Sequence, residues 1–290
     1  MAAMRVQSVA ALIGVLLLLR LDAAAPITVT AASRSSQPGE LVVLTMKTGS
    51  PALSVRVHAF GRETSAFEVG SGKWRALVGI DLDANPGPVR LEIEARTAGR
   101  TVGTTYELHV KPKRFPTRTL RVDEAFVNPP ADVQPRIELE AKELSEIWAT
   151  SSSERLWNGP FVRPVPGEAN SSFGTRSVFN GKPRNPHSGA DFLSPAGTPI
   201  EAPNGGRVAL ARELYFSGNT VIIDHGLGLS SLLAHMSSIA VHDGDHVSAG
   251  DIVGRVGATG RVTGPHLHWA VRVNGARVDP LSLLALLGQD

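Results

Sequence analysis

Three short segments in the C-terminal half carry side chains that could act together as a reaction centre. They are Gly264-Pro265-His266-Leu267-His268-Trp269, His187-Ser188-Gly189-Ala190-Asp191 and Leu233-Ala234-His235-Met236-Ser237. On a strand, residues i and i+2 point to the same face, about 6.6–7 Å apart along the chain, so His266 and His268 project into one space. Such a pair can share a metal ion, or one imidazole can bind metal while its neighbour handles protons. Pro186 and Gly189 disfavour a helix around His187, and on an extended segment His187 and Asp191 again share a face. An imidazole nitrogen and a carboxylate oxygen, each at about 2.0–2.2 Å, are ordinary zinc ligands. With one further histidine they make a three-ligand site whose fourth position is open to water, the arrangement of a catalytic zinc. His235 alone, at the end of an apolar strand, would read as structural; the other two segments promote it.

The chain has no cysteine, which removes thiolate zinc sites, a cysteine nucleophile and a disulfide framework. Other candidates resolve into structure. His242-Asp243-Gly244-Asp245-His246 is dense in ligand types, but Asp-Gly at its centre between strands is a turn signal, with Val247 to Gly254 as the return strand. Gly254 to Gly260 has the glycine content of a phosphate loop but neither nucleotide spacing, and lets the backbone turn tightly before the His266 strand. His225, beside Gly226, and the strand histidines His58 and His109 read as structural, the latter two half-buried. Neither Gly-x-Ser-x-Gly nor His-Glu-x-x-His occurs, so serine hydrolase and helix-based zinc protease readings lack their motifs.

The elements that position these residues are mostly strands. At 290 residues, 42% of them hydrophobic, the chain has room for two folded units. Residues 1–25 have the layout of a secretory signal, with Arg5, the apolar run Val9 to Leu19 and Ala23 to Ala25. That run is shorter than the roughly 20 residues needed to span a bilayer, so no stable membrane span is expected once the leader is removed. Residues 26–115 read as an immunoglobulin-like β-sandwich, with strands at Leu41–Met46, Leu53–Phe60, Trp74–Leu82, Val89–Ala95 and Thr104–Val110. Prolines 112, 116, 129, 130 and 135 mark a linker, 116–156, holding one amphipathic helix with its stripe at Ile137, Ala141, Leu144 and Trp148. Residues 157–290 return to Gly-rich strands, with a short helix at Leu281–Leu287. Lys+Arg 29 against Asp+Glu 27 leaves a formal net charge of +2, a near balance that does not indicate a nucleic-acid partner.

In order, His187-x-x-x-Asp191, His235 and His266-x-His268 resemble the M23 metallopeptidases, the LytM or lysostaphin-type family. Phe173-Gly174-Thr175-Arg176, Pro195 to Ile200, Gly205-Gly206-Arg207-Val208 and Val278-Asp279-Pro280 are similar to that family's framework, over about residues 160–285. The N-terminal β-domain resembles that of Gram-negative exported members. The resemblance implies an antiparallel-β LytM/M23 domain with Zn2+ held by His187, Asp191 and His268, and with His235 and His266 as the catalytic pair. It implies a metalloendopeptidase hydrolysing peptide bonds in peptidoglycan stems or cross-links, a D,D-endopeptidase in the periplasm or cell envelope. Two alternatives attach to it: a non-catalytic LytM-type protein that binds cell wall and activates an amidase, and intramolecular inhibition by the N-terminal region. One departure is Leu233, where the family often carries Tyr; Arg176 would serve substrate or a surface salt bridge.

Overall fold

The computed structural model describes residues 27–121, 124, 127–170 and 173–288; the expected leader lies outside the described residues. Eight strands form two antiparallel sheets. In one, β1 (Thr28–Ser33), β2 (Leu41–Lys47), β6 (Lys73–Gly79) and β5 (Phe67–Gly70) lie side by side; in the other, β4 (Arg62–Ser65), β3 (Ser54–Ala59), β7 (Gly87–Arg96) and β8 (Thr101–Val110) do. Alternation explains the second sheet: Leu91, Ile93 and Ala95 of β7 are buried, while Arg90, Glu92 and Glu94 between them are exposed. These inward residues meet Val42, Leu44, Met46, Ala76 and Val78 from the first sheet in one core.

β2 does not alternate, and its neighbours explain why. Its odd residues Leu41 and Val43, with Leu77 of β6, turn away from the sandwich and join the core of the C-terminal sheet. A strand buried on both faces reads as a continuous apolar run, here Leu-Val-Val-Leu. The expected strands appear, and β1, β4 and β5, short or polar edge segments, were not foreseen. His58 is half-buried as expected; His109 is exposed instead, with its ring 3.5 Å from Glu107.

The C-terminal sheet has ten strands: β10 (Ala169–Asn170), β13 (Gly189–Phe192), β14 (Pro199–Glu201), β15 (Gly206–Leu214), β16 (Gly218–Gly226), β17 (Leu229–Ile239), β18 (His246–Val247), β19 (Ile252–Val256), β20 (Leu267–Val273) and β21 (Ala276–Val278). Its main path runs β10-β13-β20-β17-β16-β15-β18. A small sheet joins β9 (Thr117–Leu120), β11 (Arg176–Phe179) and β12 (Lys182–Pro183), with β9 parallel to β11. Residues 242–245 form the expected turn: the His242 amide donates to the Asp245 carboxylate at 2.8 Å and Gly244 has φ of 90°. The return strand differs from expectation, because β18 pairs with β15 and only β19 comes back along β17.

Helix α1 (Gln134–Ala149) docks on β15, β16 and β17 through Leu144, Ile147 and Trp148, which meet Leu210, Leu214, Ile222 and Leu232. Its buried stripe is rotated from the expected one. Ala141 is exposed, and Glu140 is buried in its stead, accepting the Tyr215 amide at 2.8 Å and Arg136 Nε at 2.6 Å. A carboxylate tolerates that burial because both oxygens are paired. Helix α2 (Pro280–Leu287) starts at Asp279, whose side chain accepts the Leu281 amide.

Two charge clusters fasten the sandwich to the C-terminal sheet. Arg34 bonds both Glu40 and Asp279, at 3.0 and 2.6 Å, and Arg277 of β21 holds Asp81, just after β6, through its backbone amide at 2.9 Å and its Nε at 3.1 Å. Burial alone would raise the Asp81 carboxyl; the Arg277 hydrogen bonds outweigh it and bring the pKa from 3.8 down to about 2. A carboxylate lowered on folding stabilises the protein above its unfolded pKa, and that contribution is lost as pH falls through the folded value. Asp81→Asn is therefore expected to cost roughly 2 kcal/mol at neutral pH. The gap between wild type and variant in denaturant melts should close as pH drops from about 4 to about 2; a gap independent of pH would refute the assignment.

Candidate metal centre

The sheet brings the three segments together by register. Asp191 of β13 is the direct cross-strand partner of His268 on β20, and His268 is in turn the partner of Ala234 on β17. Cross-strand partners share a face, so the Asp191 carboxylate and the His268 ring meet without any loop having to deliver them. His187 enters from the segment before β13, tied at both backbone groups: its amide donates to Thr175 and its carbonyl accepts from Gly174.

The result is a triangle of donor atoms. His187 Nε2 and His268 Nδ1 each stand 3.0 Å from Asp191 Oδ1, and 2.9 Å from one another. Protons cannot satisfy all three edges, since each ring nitrogen carries at most one hydrogen along one direction. A cation can, because it takes a lone pair from every corner. Donors around a tetrahedral ion at about 2.0–2.1 Å lie about 3.3 Å apart, close to these edges. Among the described residues this is the one group of three or more His, Cys, Asp or Glu side chains placed to hold a metal ion. Burial would raise the Asp191 pKa, but hydrogen bonds from His187 and His268 outweigh it and hold the carboxyl far below the usual range; burial lowers His268, keeping its ring neutral. A bare carboxylate beside the neutral His268 imidazole is the protonation state that metal binding needs.

Gly189 is required for this packing. A Cβ there would stand 2.4 Å from the Trp269 carbonyl and 2.7 Å from the His268 ring. Gly189→Ala must push strand and ring apart, and is expected to weaken any metal binding by the triangle at least about tenfold, the scale seen when a ligand loses its support. Competitive zinc titration reads this directly; unchanged affinity would show that the ring has room.

His235 and His266 flank the triangle. Their ring centroids are 4.9 Å apart, and His266 Nε2 lies 3.7 Å from Asp191 Oδ1. Each ring uses Nδ1 on a backbone carbonyl, Thr259 for His235 and Gly264 for His266, both at 2.9 Å. A carbonyl only accepts, so Nδ1 of each ring carries a proton, and in the neutral tautomer it is Nε2 that presents a lone pair. Burial first, then the neighbouring His268, pushes His235 down to about 3, so it stays neutral. His235 sits where β17 leaves β20, after Ala234, and joins β19, from Met236. Its backbone is left-handed there, φ 65°, an uncommon state for a non-glycine residue.

Several residues that hold His235 were not foreseen. Its amide donates to the Ser217 carbonyl at 2.9 Å. Gly218 and Gly260 let two loops touch backbone to backbone: a Cβ on Gly218 would lie 2.3 Å from Thr259, and one on Gly260 would lie 2.4 Å from the Gly218 nitrogen. The glycines of 254–260 are the signal in the sequence: Gly254 lies within β19 rather than in a turn, while Gly260, at φ 76°, turns the chain and supports Thr259, a role the spacing does not reveal. Glu140 adds a strut from α1 by fixing the Tyr215 amide, two residues before Ser217. His225 is buried and structural, bonding the Gly205 carbonyl at 2.8 Å and Ser231 Oγ at 2.9 Å. Leu233 packs in the core cluster with Trp269, and Arg176 is exposed.

A crystal structure from Pseudomonas aeruginosa described as a peptidase M23 superposes with a TM-score of 0.68 at 34% identity, covering 88% of this chain and 97% of that one. The chain belongs to peptidase family M23. The family model itself matches residues 185–280, which contain the donor triangle and both flanking histidines. Among curated relatives, the peptidoglycan DD-endopeptidase ShyA of Vibrio cholerae is 43% identical over 96 residues, and the DD-carboxypeptidase/endopeptidase Mpg of Neisseria meningitidis serogroup B is 41% identical over 97. Each match takes in 33% of this chain and 22% of the relative's length. This M23 chain thus shares one stretch with those curated proteins, while its N-terminal sandwich is matched in the Pseudomonas structure.

Proposed function

We propose that the chain is a zinc-dependent endopeptidase that hydrolyses D,D peptide bonds in peptidoglycan cross-links. The observation that carries this reading is the donor triangle of His187, Asp191 and His268, with two further imidazoles presenting lone pairs beside it. A zinc ion on these three residues would supply Lewis acidity to water and to a scissile carbonyl at its open position. The chain's own part is proton handling and orientation. Nε2 of His235 or of His266 takes the proton of the attacking water, and the imidazolium so formed returns it to the leaving nitrogen. The carbonyls of Thr259 and Gly264 hold each ring in the tautomer this requires and stabilise the charged form.

The D,D specificity rests on the names of the two curated relatives. Peptidoglycan as substrate requires export, consistent with the leader read in residues 1–25; no helix among the described residues is long and apolar enough to cross a membrane. An amidase-activating role without catalysis is disfavoured because all five positions carry functional side chains.

Digestion of defined cross-linked muropeptides, followed by mass spectrometry, tests the proposal. Cleavage at the D,D bond, lost with chelator and restored by zinc, is expected. Zinc-loaded protein that releases no product would overturn it.

A further inference from the structure

Of the three corners of the donor triangle, His187 is the one that no strand carries. Asp191 and His268 are set by the register of β13 and β20, whereas His187 lies in the irregular stretch between β12 and β13. Both of its backbone polar groups go to a single segment: the Gly174 amide donates to its carbonyl at 2.7 Å, and its own amide donates to the Thr175 carbonyl at 3.0 Å. This corner is therefore only as firm as Phe173-Gly174-Thr175.

That segment is clamped from outside the C-terminal sheet. On one side the buried Phe173 ring rests on Gly39, in the turn before β2, where a Cβ would overlap the ring carbon Cε1. Gly39 is a fixed surface. Its amide donates to the Ile80 carbonyl and its carbonyl accepts from the Asp279 amide, both at 2.8 Å, and its φ of 86° is one that glycine adopts without strain. On the other side the ring of Phe115, in the linker, covers Gly174, and a Cβ on Gly174 would overlap that ring. The Phe115 and Phe173 rings also meet edge-on, with centroids 6.3 Å apart. The residue after Phe115, Pro116, accepts the Arg176 amide at 2.9 Å, where the pairing of β9 with β11 begins. The linker is in turn tied to the sandwich: the Lys111 amide donates to the Ser36 carbonyl at 2.7 Å, Gln37 Nε2 to the Pro112 carbonyl at 2.9 Å, and Lys113 Nζ stands 3.5 Å from Glu40.

We propose that Gly39 of the sandwich and Phe115 of the linker are positioning residues for the His187 corner, so that the N-terminal half of the chain sets how tightly the centre holds zinc. The inference rests on the metal-centre reading above and carries its support outside residues 185–280, the stretch that the family model matches. Neither residue is a metal donor. Both act through Phe173–Thr175 and the two hydrogen bonds on the His187 backbone. A ligand set must be held to within about 0.5 Å of its working geometry, and loss of what orients a ligand weakens metal binding about 10- to 100-fold.

The test measures zinc affinity of the full chain by competition with a chromophoric chelator, alongside thermal melts. Phe115→Ala, which opens space over Gly174, is expected to weaken zinc binding at least about tenfold. Phe115→Leu, which keeps an apolar side chain there, should return to within about threefold of wild type. Asp81→Asn loosens the sandwich at Arg277, away from this segment, and should lower the melting temperature while leaving zinc affinity within about twofold. Unchanged affinity in Phe115→Ala, or equal weakening in Asp81→Asn, would overturn the inference, the second by tying affinity to stability at large. Higher kcat/KM in Phe115→Ala at unchanged zinc affinity would overturn it too, and would make the linker a cover over the centre. Hydrogen exchange on zinc-free wild type needs no variant to fold: the Gly174, Arg176 and His187 amides should be as protected as those of Ala190 and Asp191 in β13, and rapid exchange there would also sink the idea. Zinc affinity needs no turnover, so a loss confined to Phe115→Ala supports the brace even where no bond is cut. A wild-type chain that binds no zinc removes the metal-centre reading and the brace with it.

Discussion

Replacing His268 by alanine is expected to abolish zinc retention and hydrolysis together. His268 occupies one corner of a triangle whose edges are 2.9–3.0 Å, and it is the only corner supplied by β20. Its removal leaves two donors, too few for a catalytic zinc site held by three protein ligands. The loss should exceed about 10³-fold in kcat/KM, because the ion contributes several kcal/mol to the transition state and each 1.4 kcal/mol is tenfold. Metal content by mass spectrometry should fall from about one zinc per chain to a trace. Asp191→Asn, which keeps the shape but removes the charge, is expected to lie between wild type and His268→Ala in affinity. A His268→Ala protein that still holds one zinc and cuts muropeptides at the wild-type rate would remove the basis of the proposed function.

How much of this was legible before folding differs between the site and its supports. His266-x-His268 and His187-x-x-x-Asp191 could be read because strand periodicity puts alternate residues on one face, and the sheet then sets Asp191 directly opposite His268. Cross-strand register itself was not readable, since it depends on which of many apolar strands pair. The same limit hid Thr259 and Ser217: both act on His235 through backbone carbonyls, and any residue type can supply one. In the stripe of α1, Leu144 and Trp148 dock as expected, and Ala141 was misassigned because a buried glutamate breaks the apolar pattern; only the Tyr215 amide and Arg136 make Glu140 tolerable inside. β2 shows the reverse case. Its unbroken run Leu41 to Leu44 reads only as one strand of the sandwich; that its second face meets a core more than a hundred residues further along the chain is a tertiary fact.

His235→Asn is expected to separate chemistry from metal binding and from stability. His235 is not a corner of the triangle, so zinc content should remain near that of wild type, while kcat falls about 10²- to 10⁴-fold, the range for loss of a positioned acid–base group. The backbone supplies a second reading of the same substitution. A left-handed non-glycine residue costs about 1–3 kcal/mol, and such strain persists only where the surrounding structure enforces it. Here the enforcers are the Ser217 carbonyl on its amide and the Thr259 carbonyl on its ring. Asparagine enters the left-handed region more readily than histidine does, so the variant should melt at or above the wild-type temperature despite being nearly inactive. That pairing of lost turnover with retained zinc and undiminished stability is what a residue strained for function predicts. A variant that unfolds early, or one that keeps activity within tenfold, would instead make His235 a packing residue and leave proton transfer to His266.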